Sequence, residues 1–299
     1  MFKSKFLNSL CKLHLSHRLN NKINLPLKWI WNKNLFKPDF SDANNLCFVF
    51  TPGWYYPEYI KYLKRKYKSS KFVFYFSDTV DSKLKMIPSL DMKYLRENFD
   101  LVLSYNQQDV EKYDLKYTSI YYSKIPQSWV NSLPKFETVD VLFIGAARNR
   151  LDEIKQVYEK LTKAGLKSYF YVVEKDKNKY DTNIDGIHFS PTAMPFKEYL
   201  ARTMSTKSIL EILDTNTSGS TLRFWEAIMY NKKLITNYPY VKENNFYSSN
   251  YIHYFREVNE IDPSFLRGDT SVQYNYKGEN SPVNFLKLIE NYLAETKVK

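Results

Sequence analysis

One stretch, residues 208–237, constrains the fold more than any other: SILEILDTNTSGSTLRFWEAIMYNKKLITN. Its first six residues form an apolar run of buried-strand length, and residues 214–220 are loop-forming types. Apolar residues at helical spacing follow over residues 221–230, and residues 233–236 form a second strand pattern. A strand–loop–helix–strand unit is typical of an open parallel sheet, so this stretch predicts an α/β fold.

The candidate binding residues lie at the predicted junction between the loop and the helix. Gly219, Ser220 and Thr221 lie where the helix is predicted to begin, and free N–H groups with a positive dipole end there suit a phosphate. Arg223 adds a permanent cation, and Glu226 follows on the same helix face. The alternative is an ordinary capped helix with a surface Arg–Glu pair, and these residues alone leave both interpretations open.

Residues 218–237 resemble the donor-site segment of GT-B glycosyltransferases from bacterial capsule, exopolysaccharide and lipopolysaccharide clusters. The shared pattern is a Gly/Ser/Thr loop, an Arg, a Glu followed by a small residue, a basic pair, and an apolar strand ending in Thr-Asn. A weaker resemblance covers residues 46–255. It implies two Rossmann-like domains facing across a cleft. It also implies a set of donor-binding residues on this segment: Ser218, Gly219, Ser220, Thr221, Arg223 and Glu226. Of these, Ser220, Thr221 and Arg223 would meet the diphosphate, and Glu226 would bind the ribose.

The same resemblance implies transfer of a sugar from a nucleotide-sugar to a glycan or lipid-linked oligosaccharide acceptor, in surface polysaccharide or glycoconjugate synthesis. GT-B enzymes stabilise the leaving diphosphate with helix dipoles and Arg or Lys, so neither a metal nor a cofactor is expected and the nucleotide-sugar is a substrate. Many retaining members carry a second Glu where this chain has Ser218, so a retaining mechanism is not implied. A non-catalytic nucleotide- or glycan-binding module of the same fold is the alternative.

A second phosphate-binding turn is predicted upstream. Residues 139–145 form a strand ending in Gly145, followed by AARNR and a helix over residues 151–164, which is the opening of a Rossmann-like half. The three-glycine dinucleotide fingerprint is absent. Arg148 and Arg150 lie in the turn and can bind phosphate bidentately. The competing interpretation is a pair of solvated loop cations.

The sequence predicts two domains with a boundary near residue 137. Residues 123–135 lack periodicity and serve as the linker. Residues 1–137 form the N-terminal, acceptor-side Rossmann-like domain, and residues 138–299 form the nucleotide-sugar-binding domain with a terminal helix. Strands are predicted at 28–31, 45–50, 71–76, 100–104 and 118–122 in the first domain, and at 139–145, 167–173, 186–190, 208–213, 233–236 and 251–254 in the second.

Asp78 is the candidate catalytic base. It follows the apolar strand at residues 71–76, and ligands in open α/β sheets gather beyond the carboxyl ends of strands. An inverting sugar transfer needs a base to deprotonate the acceptor hydroxyl. A turn or helix-capping role competes with this interpretation and is the more common use of an Asp in such a place.

The net charge of +12 favours anionic partners. Lysines are spread along the whole chain without a recognition motif, so nucleic acid is not expected as a partner. Residues 1–22 alternate basic and apolar types, which fits either a helix at an anionic membrane surface or a helix packed on its own domain. The second is favoured because the apolar positions form no clean stripe. No apolar run is long enough to span a membrane or to form a signal core, which predicts a cytoplasmic protein, with the inner membrane face as a further contact.

Overall fold

The computed structural model describes residues 4–35, 40, 46–176, 178, 186–268 and 271–295. The chain divides into two compact units, the first formed by residues 1–118 with 288–299 and the second by residues 119–287. Each unit contains one parallel β-sheet with helices connecting its strands. This confirms the predicted α/β class with two Rossmann-like domains.

The first unit is built around a four-stranded sheet in the order β1-β2-β3-β4, all parallel. Its strands are β1 (Cys47–Phe50), β2 (Lys71–Phe76), β3 (Leu101–Ser104) and β4 (Lys116–Tyr117). Its helices are α1 (Lys5–His14), α2 (His17–Asn20), α3 (Asn32–Leu35), α4 (Pro57–Lys66), α5 (Val80–Met86), α6 (Met92–Asn98) and α7 (Gln107–Tyr113). The aromatic strand β2 is buried and supplies Phe72, Phe74 and Phe76 to the core.

The second unit has a six-stranded parallel sheet. Its strands are β5 (Val139–Ala146), β6 (Ser168–Val173), β7 (Ile187–Ser190), β8 (Thr206–Glu211), β9 (Lys233–Thr236) and β10 (Ile252–Tyr254). Its helices are α8 (Gln127–Asn131), α9 (Leu151–Lys163), α10 (Phe196–Met204), α11 (Leu222–Met229) and α12 (Pro263–Arg267), and the last helix, α13 (Pro282–Glu295), begins in this unit and ends in the first. The spatial order of the strands is β7-β6-β5-β8-β9-β10. If the six strands are numbered along the chain, this order is 3-2-1-4-5-6, which is that of a doubly wound Rossmann sheet.

The central strand β5 shows why both faces of this sheet are covered. Val141 and Phe143 pack with α9 on one face, whereas Leu142 and Ile144 pack with Met194 on the other. Successive strand residues point to opposite faces. A continuous apolar run therefore requires helices on both sides, as parallel sheets generally do.

Two predicted strands of the first domain are wrong. Residues 28–31 form a 3₁₀ helix, because Leu27 adopts a left-handed φ of 59° and the indole of Trp31 turns inward to donate to His14 Nδ1 at 2.8 Å. The strand predicted at residues 118–122 is replaced by β4, which ends at Tyr117. Tyr122 N donates instead to Asn280 O, at 2.9 Å.

The predicted boundary near residue 137 falls in the segment between the two sheets, after β4 and before β5. This segment belongs to the second unit through local contacts: Ile125 N donates to the Tyr230 hydroxyl at 3.2 Å, and the Phe136 ring lies 4.1 Å from the Arg202 guanidinium. The end of α13 belongs to the first unit, where the Tyr292 hydroxyl donates to Tyr117 O at 3.0 Å.

The N-terminal segment combines features of both interpretations made from the sequence. Cys11 and Leu15 are buried in the core of the first unit. Phe6, Leu10 and Leu13, on the same segment, are exposed. Within the part of the chain that the structure describes, no helix is both long enough and apolar enough to cross a membrane.

Candidate functional site

The topology of the second sheet marks one place as the site. β5 and β8 are neighbours, and the chain winds away from them in opposite directions. In doubly wound sheets, ligands bind outside the carboxyl ends of the strands at this switch point. The loop after β5 carries Arg148 and Arg150, and the loop after β8 leads into α11, which carries Arg223 and Glu226. The structure therefore brings the two predicted phosphate-binding segments to the same end of one sheet.

Arg223 is fixed against the end of β5. Its Nε donates to Ile144 O at 2.9 Å and its Nη2 donates to the same oxygen. The guanidinium also lies 5.5 Å from the centre of the Phe143 ring, within cation–π range. A Cβ placed on Gly145 would overlap Nη2 of Arg223. Gly145 therefore provides the space that this guanidinium occupies.

Arg150 is buried and joins the two loops. Its Nε and Nη2 donate to Ala146 O at 3.3 and 3.0 Å, and its Nη1 donates to Ile212 O. Burial, together with the nearby charges of Arg223 and Arg148, lowers the pKa of Arg150 to about 10. The guanidinium groups of Arg148, Arg150 and Arg223 repel one another, and an anion bound among them would reduce this repulsion. Arg150 is not the solvated loop cation of the competing interpretation.

Arg148 is the exposed member of the group. Its backbone adopts a left-handed φ of 47°, which is uncommon for a residue with a side chain and is often found at functional turns. Its side chain is 59% exposed, and its Nη1 lies 3.3 Å from Asp214 Oδ2. Asp214 also accepts hydrogen bonds from Asn216. The pair links the loop after β5 to the loop after β8 and places an exposed cation at the switch point.

The start of α11 is held by a carboxylate that the sequence analysis did not single out. Glu211, fully buried at the end of β8, accepts from Thr221 N at 2.9 Å and from the Thr221 hydroxyl at 2.7 Å. Its other oxygen accepts from Thr236 Oγ1 at 2.6 Å. Thr221 in turn caps the helix by accepting from Arg223 N at 3.1 Å. Two donors predicted to face a diphosphate are thus bound to the protein's own carboxylate.

The other predicted loop residues lie next to this cap. Ser218, Gly219 and Ser220 are buried. Gly219 N donates to Thr217 Oγ1 at 3.3 Å. The donor-binding role of these three residues stays a prediction.

Glu226 lies one turn into α11 and is 1% exposed. Burial raises its pKa to about 7, against the opposing effects of a hydrogen bond from Tyr199 and the charge of Arg223. The Tyr199 hydroxyl donates to Oε2. The hydroxyl of Tyr122 is close enough to this carboxylate to lower its pKa. Among the described residues, however, neither Oε1 nor that hydroxyl makes a well-formed hydrogen bond. A buried oxygen without a partner is costly, and such atoms are frequently functional.

The sequence analysis did not identify three residues of the site: Glu211, Tyr122 and Tyr199. Glu211 is the single charged residue inside the apolar run 208–213, which is a signal that could have identified it. Tyr199 and Tyr122 stand in other elements with no local pattern that connects them to Glu226. Their contact with the site is a product of the tertiary fold alone.

The basic pair of the matched segment lies at the opposite end of the sheet. Lys232 Nζ donates to Met204 O at 2.8 Å and to Thr206 O at 2.6 Å, and burial lowers its pKa to about 8. Lys233 Nζ donates to Phe265 O and Gly268 O, both at 2.7 Å. Lys232 thus binds main-chain carbonyls at the amino end of β8, and Lys233 binds carbonyls in and just after α12, so both lysines have a structural role.

Asp78 lies in the first unit, directly after β2. Its Oδ1 accepts from Thr79 N at 3.0 Å, and its Oδ2 lies 2.8 Å from Lys83 Nζ. Thr79 is the N-cap residue of α5, and the N–H of Val80 at the start of that helix is bound by the buried carboxylate of Asp109 at 2.9 Å. Asp78 is thus engaged in a turn and an ion pair, and its role as a base stays a prediction. Over the described ranges, no group of three or more His, Cys, Asp or Glu side chains is placed to hold a metal ion.

Comparisons with known proteins bear on the fold. No protein-family model and no curated protein matches the sequence. Among solved structures, an alpha-glucosyltransferase in complex with UDP-glucose and DNA containing an abasic site is similar in fold, with a TM-score of 0.52, 12% identity, and coverage of 85% of this chain and 81% of that one.

Two further similar structures have lower TM-scores. One is a UDP-forming alpha,alpha-trehalose-phosphate synthase from Burkholderia xenovorans, with a TM-score of 0.47, 10% identity, and coverage of 98% of this chain and 80% of that one. The other is accessory secretory protein 1, 2 and 3 of Streptococcus pneumoniae, with a TM-score of 0.44, 12% identity and coverage of 85% of this chain. The match spans about half of that chain, 54%.

Proposed function

We propose that this chain is a metal-independent, nucleotide-sugar glycosyltransferase that moves a sugar to a glycan or lipid-linked oligosaccharide acceptor in surface polysaccharide or glycoconjugate synthesis. The observation that carries the proposal is the gathering of Arg148, Arg150 and Arg223 at the switch point of a Rossmann sheet, beside the buried carboxylate of Glu226. The second unit would bind the donor and the first unit the acceptor.

The arginines would stabilise the diphosphate as it leaves. Charge develops on the diphosphate when the sugar–oxygen bond breaks, and fixed cations in a partly buried site stabilise that charge without reorganisation. Arg223 is held in place by Ile144 O. Arg148 is exposed, and its guanidinium would exchange Asp214 for a phosphate oxygen. Arg150 would act through its charge, since three of its donors are bound to main-chain carbonyls.

Glu226 would bind the ribose. A ribose hydroxyl that donates to Oε1 would give this buried oxygen the partner it lacks. Because Glu226 is 1% exposed, the ribose can reach it only if Tyr122 or Tyr199 moves when the donor binds. In the first unit, Asp78 would take the proton of the acceptor hydroxyl after separating from Lys83.

A second candidate is a non-catalytic nucleotide- or glycan-binding module of the same fold. Two observations favour it. Thr221 directs both of its donors to Glu211, and Glu226 is covered by protein. A module that binds without turnover needs neither a reactive diphosphate site nor a base.

The two candidates are separated by calorimetry and a turnover assay with UDP-, GDP- and CMP-sugars. We expect the wild-type protein to bind one class of nucleotide and to release the nucleotide from its sugar when given acceptor glycans. Arg223→Gln should weaken binding by tenfold or more, because a charge-assisted hydrogen bond contributes about 1.5–3 kcal/mol. Arg256→Gln, at an exposed arginine of the same unit, is the matched control and should bind normally.

Binding without turnover would favour the second candidate. A response to oligonucleotides alone, with a steep dependence on salt, would contradict both candidates.

A further inference from the structure

A cavity of about 400 Å³ lies at the amino ends of β5, β8 and β9, which is the end of the sheet opposite the candidate site. This volume is in the range of small-molecule sites. Met204, Leu266 and Val272 contribute apolar surface to the cavity. Its walls also include the residues that directly precede the three strands: Thr138, Ser205 and Lys232. The cavity can therefore contact a small molecule that has both polar and apolar parts.

Lysines supply the charge of this cavity. Lys207, Lys232 and Lys233 line it, and no acidic residue does so within the part of the chain that the structure describes. Lys207 is paired with Asp140, whose Oδ1 lies 2.9 Å from its Nζ. Among the described residues no carboxylate forms an ion pair with Lys232, and burial lowers the pKa of its ammonium group to about 8. A partly buried cation without a counter-ion is costly, so a bound anion would stabilise the charged form of Lys232.

Three side chains of the cavity have hydrogen-bond donors to spare. An ammonium group carries three N–H groups, and that of Lys232 uses two of them on the main-chain carbonyls named above. Asn231 accepts from Tyr274 N at 3.2 Å through Oδ1, which leaves the amide N–H groups of Asn231 without a partner among the described residues. The hydroxyl of Ser205 likewise has no partner there. A ligand that supplies several acceptor oxygens would match this set of donors.

We propose that this cavity is an anion-binding site for the phosphate group of a small molecule. Lys232 would supply the charge and one N–H, and Asn231 and Ser205 would donate to further phosphate oxygens. Phosphate fits better than a carboxylate because it carries more charge and more acceptor oxygens, and hydrogen bonds between charged groups are among the strong ones. The apolar side chains of the cavity would contact the organic part of a phosphate monoester. The site is separate from the three arginines, and the proposal does not depend on sugar transfer.

Titration of Lys232 by NMR tests the proposal, with the full chain labelled with carbon-13 at the lysine Cε atoms. We expect the Lys232 signal to titrate near pH 8, apart from those of solvated lysines, and the variant Lys232→Met assigns the signal by its loss. Saturating glycerol 3-phosphate should raise the midpoint by about one pH unit or more, because a nearby opposite charge favours the ammonium form. The affinity for this anion should then fall about tenfold as pH rises through the two midpoints, since one unit of pKa corresponds to a factor of ten.

A variant of nearly unchanged shape removes the donors without removing the lysine. Asn231→Asp keeps an acceptor for Tyr274 N but replaces the amide donors by a negative charge. It should bind glycerol 3-phosphate at least tenfold more weakly in titrations followed on the Lys232 signal. Asn259→Asp makes the same change at an exposed asparagine of this unit outside the cavity and should bind normally. Arg148→Gln/Arg223→Gln removes two cations of the candidate donor site and should leave the response of Lys232 unchanged.

Inorganic phosphate in the same titration identifies the source of the phosphate group. Tighter binding of glycerol 3-phosphate would identify a phosphate monoester as the ligand, and equal binding would identify free phosphate. Three outcomes would overturn the proposal. The first is a Lys232 midpoint that neither anion moves, and the second is undiminished binding by Asn231→Asp. The third is loss of the Lys232 response in Arg148→Gln/Arg223→Gln, which would mean that the anion binds at the arginines instead.

Discussion

Replacing Glu226 by Gln should change how the stability of the second unit depends on pH. Burial raises the pKa of Glu226 to about 7, whereas its ordinary value is 4.5. Below pH 4.5 the carboxyl is protonated in both the folded and the unfolded chain. Between pH 4.5 and 7 the unfolded chain loses the proton and the folded chain keeps it, so the free energy of unfolding falls as pH rises.

The magnitude follows from the two pKa values. The full loss above pH 7 is about 3 kcal/mol, and about 2.5 kcal/mol of it falls between pH 5 and pH 8. A glutamine at this position carries no charge and can still accept from the Tyr199 hydroxyl. The free energy of unfolding of Glu226→Gln minus that of the wild type should therefore rise by about 2.5 kcal/mol over this interval.

Urea unfolding followed by circular dichroism at several pH values measures this difference. Glu159→Gln is the control, because Glu159 is an exposed carboxylate of α9 in the same unit. Its difference from the wild type, measured at the same pH values, gives the baseline for removing a carboxylate from the surface of this unit. A constant difference for Glu226→Gln would refute the reasoning, because it would mean that the carboxylate is not held in a poorly solvated site.

The remaining predictions concern residues that support the site. Gly145→Ala should push the Arg223 guanidinium away from Ile144 O and lower the free energy of unfolding by about 1–2 kcal/mol. Gly53→Ala, where a Cβ meets nothing within 4 Å, should cost less than about 0.5 kcal/mol, and equal losses in the two variants would contradict the packing described. Lys232→Met should cost about 1–3 kcal/mol in urea unfolding at pH 7, because two carbonyls lose their donor, and a neutral effect would refute the structural role of this lysine.

The elements around the site could be predicted because local patterns determine them. The helix predicted at residues 221–230 is α11 (Leu222–Met229), and the strand predicted at 233–236 matches β9 (Lys233–Thr236). Apolar residues at helical spacing and a short β-branched run are local signals. The strand predicted at residues 28–31 failed because a tertiary hydrogen bond from Trp31 to His14 decides the conformation there.

The burial and the hydrogen-bond partners of the site residues could not be predicted, because they depend on residues that are distant in the sequence. Arg150 resembles a loop cation in the sequence, yet its guanidinium binds Ile212 O, 62 residues away. The cover over Glu226 comes from Tyr199, 27 residues away on another helix. Gly145 resembles a turn glycine in the sequence, whereas the structure shows that it leaves room for the guanidinium of Arg223. In each case the residue type indicates which chemistry is available, and the fold decides how it is used.

A crystal structure with a bound nucleoside diphosphate, such as UDP, tests the central claim most directly. We expect the diphosphate within hydrogen-bond distance of Arg148 and Arg223, and a ribose hydroxyl on Oε1 of Glu226 with Tyr122 or Tyr199 displaced. A nucleotide bound elsewhere, with the Arg148–Asp214 pair intact and Glu226 still covered, would contradict the account.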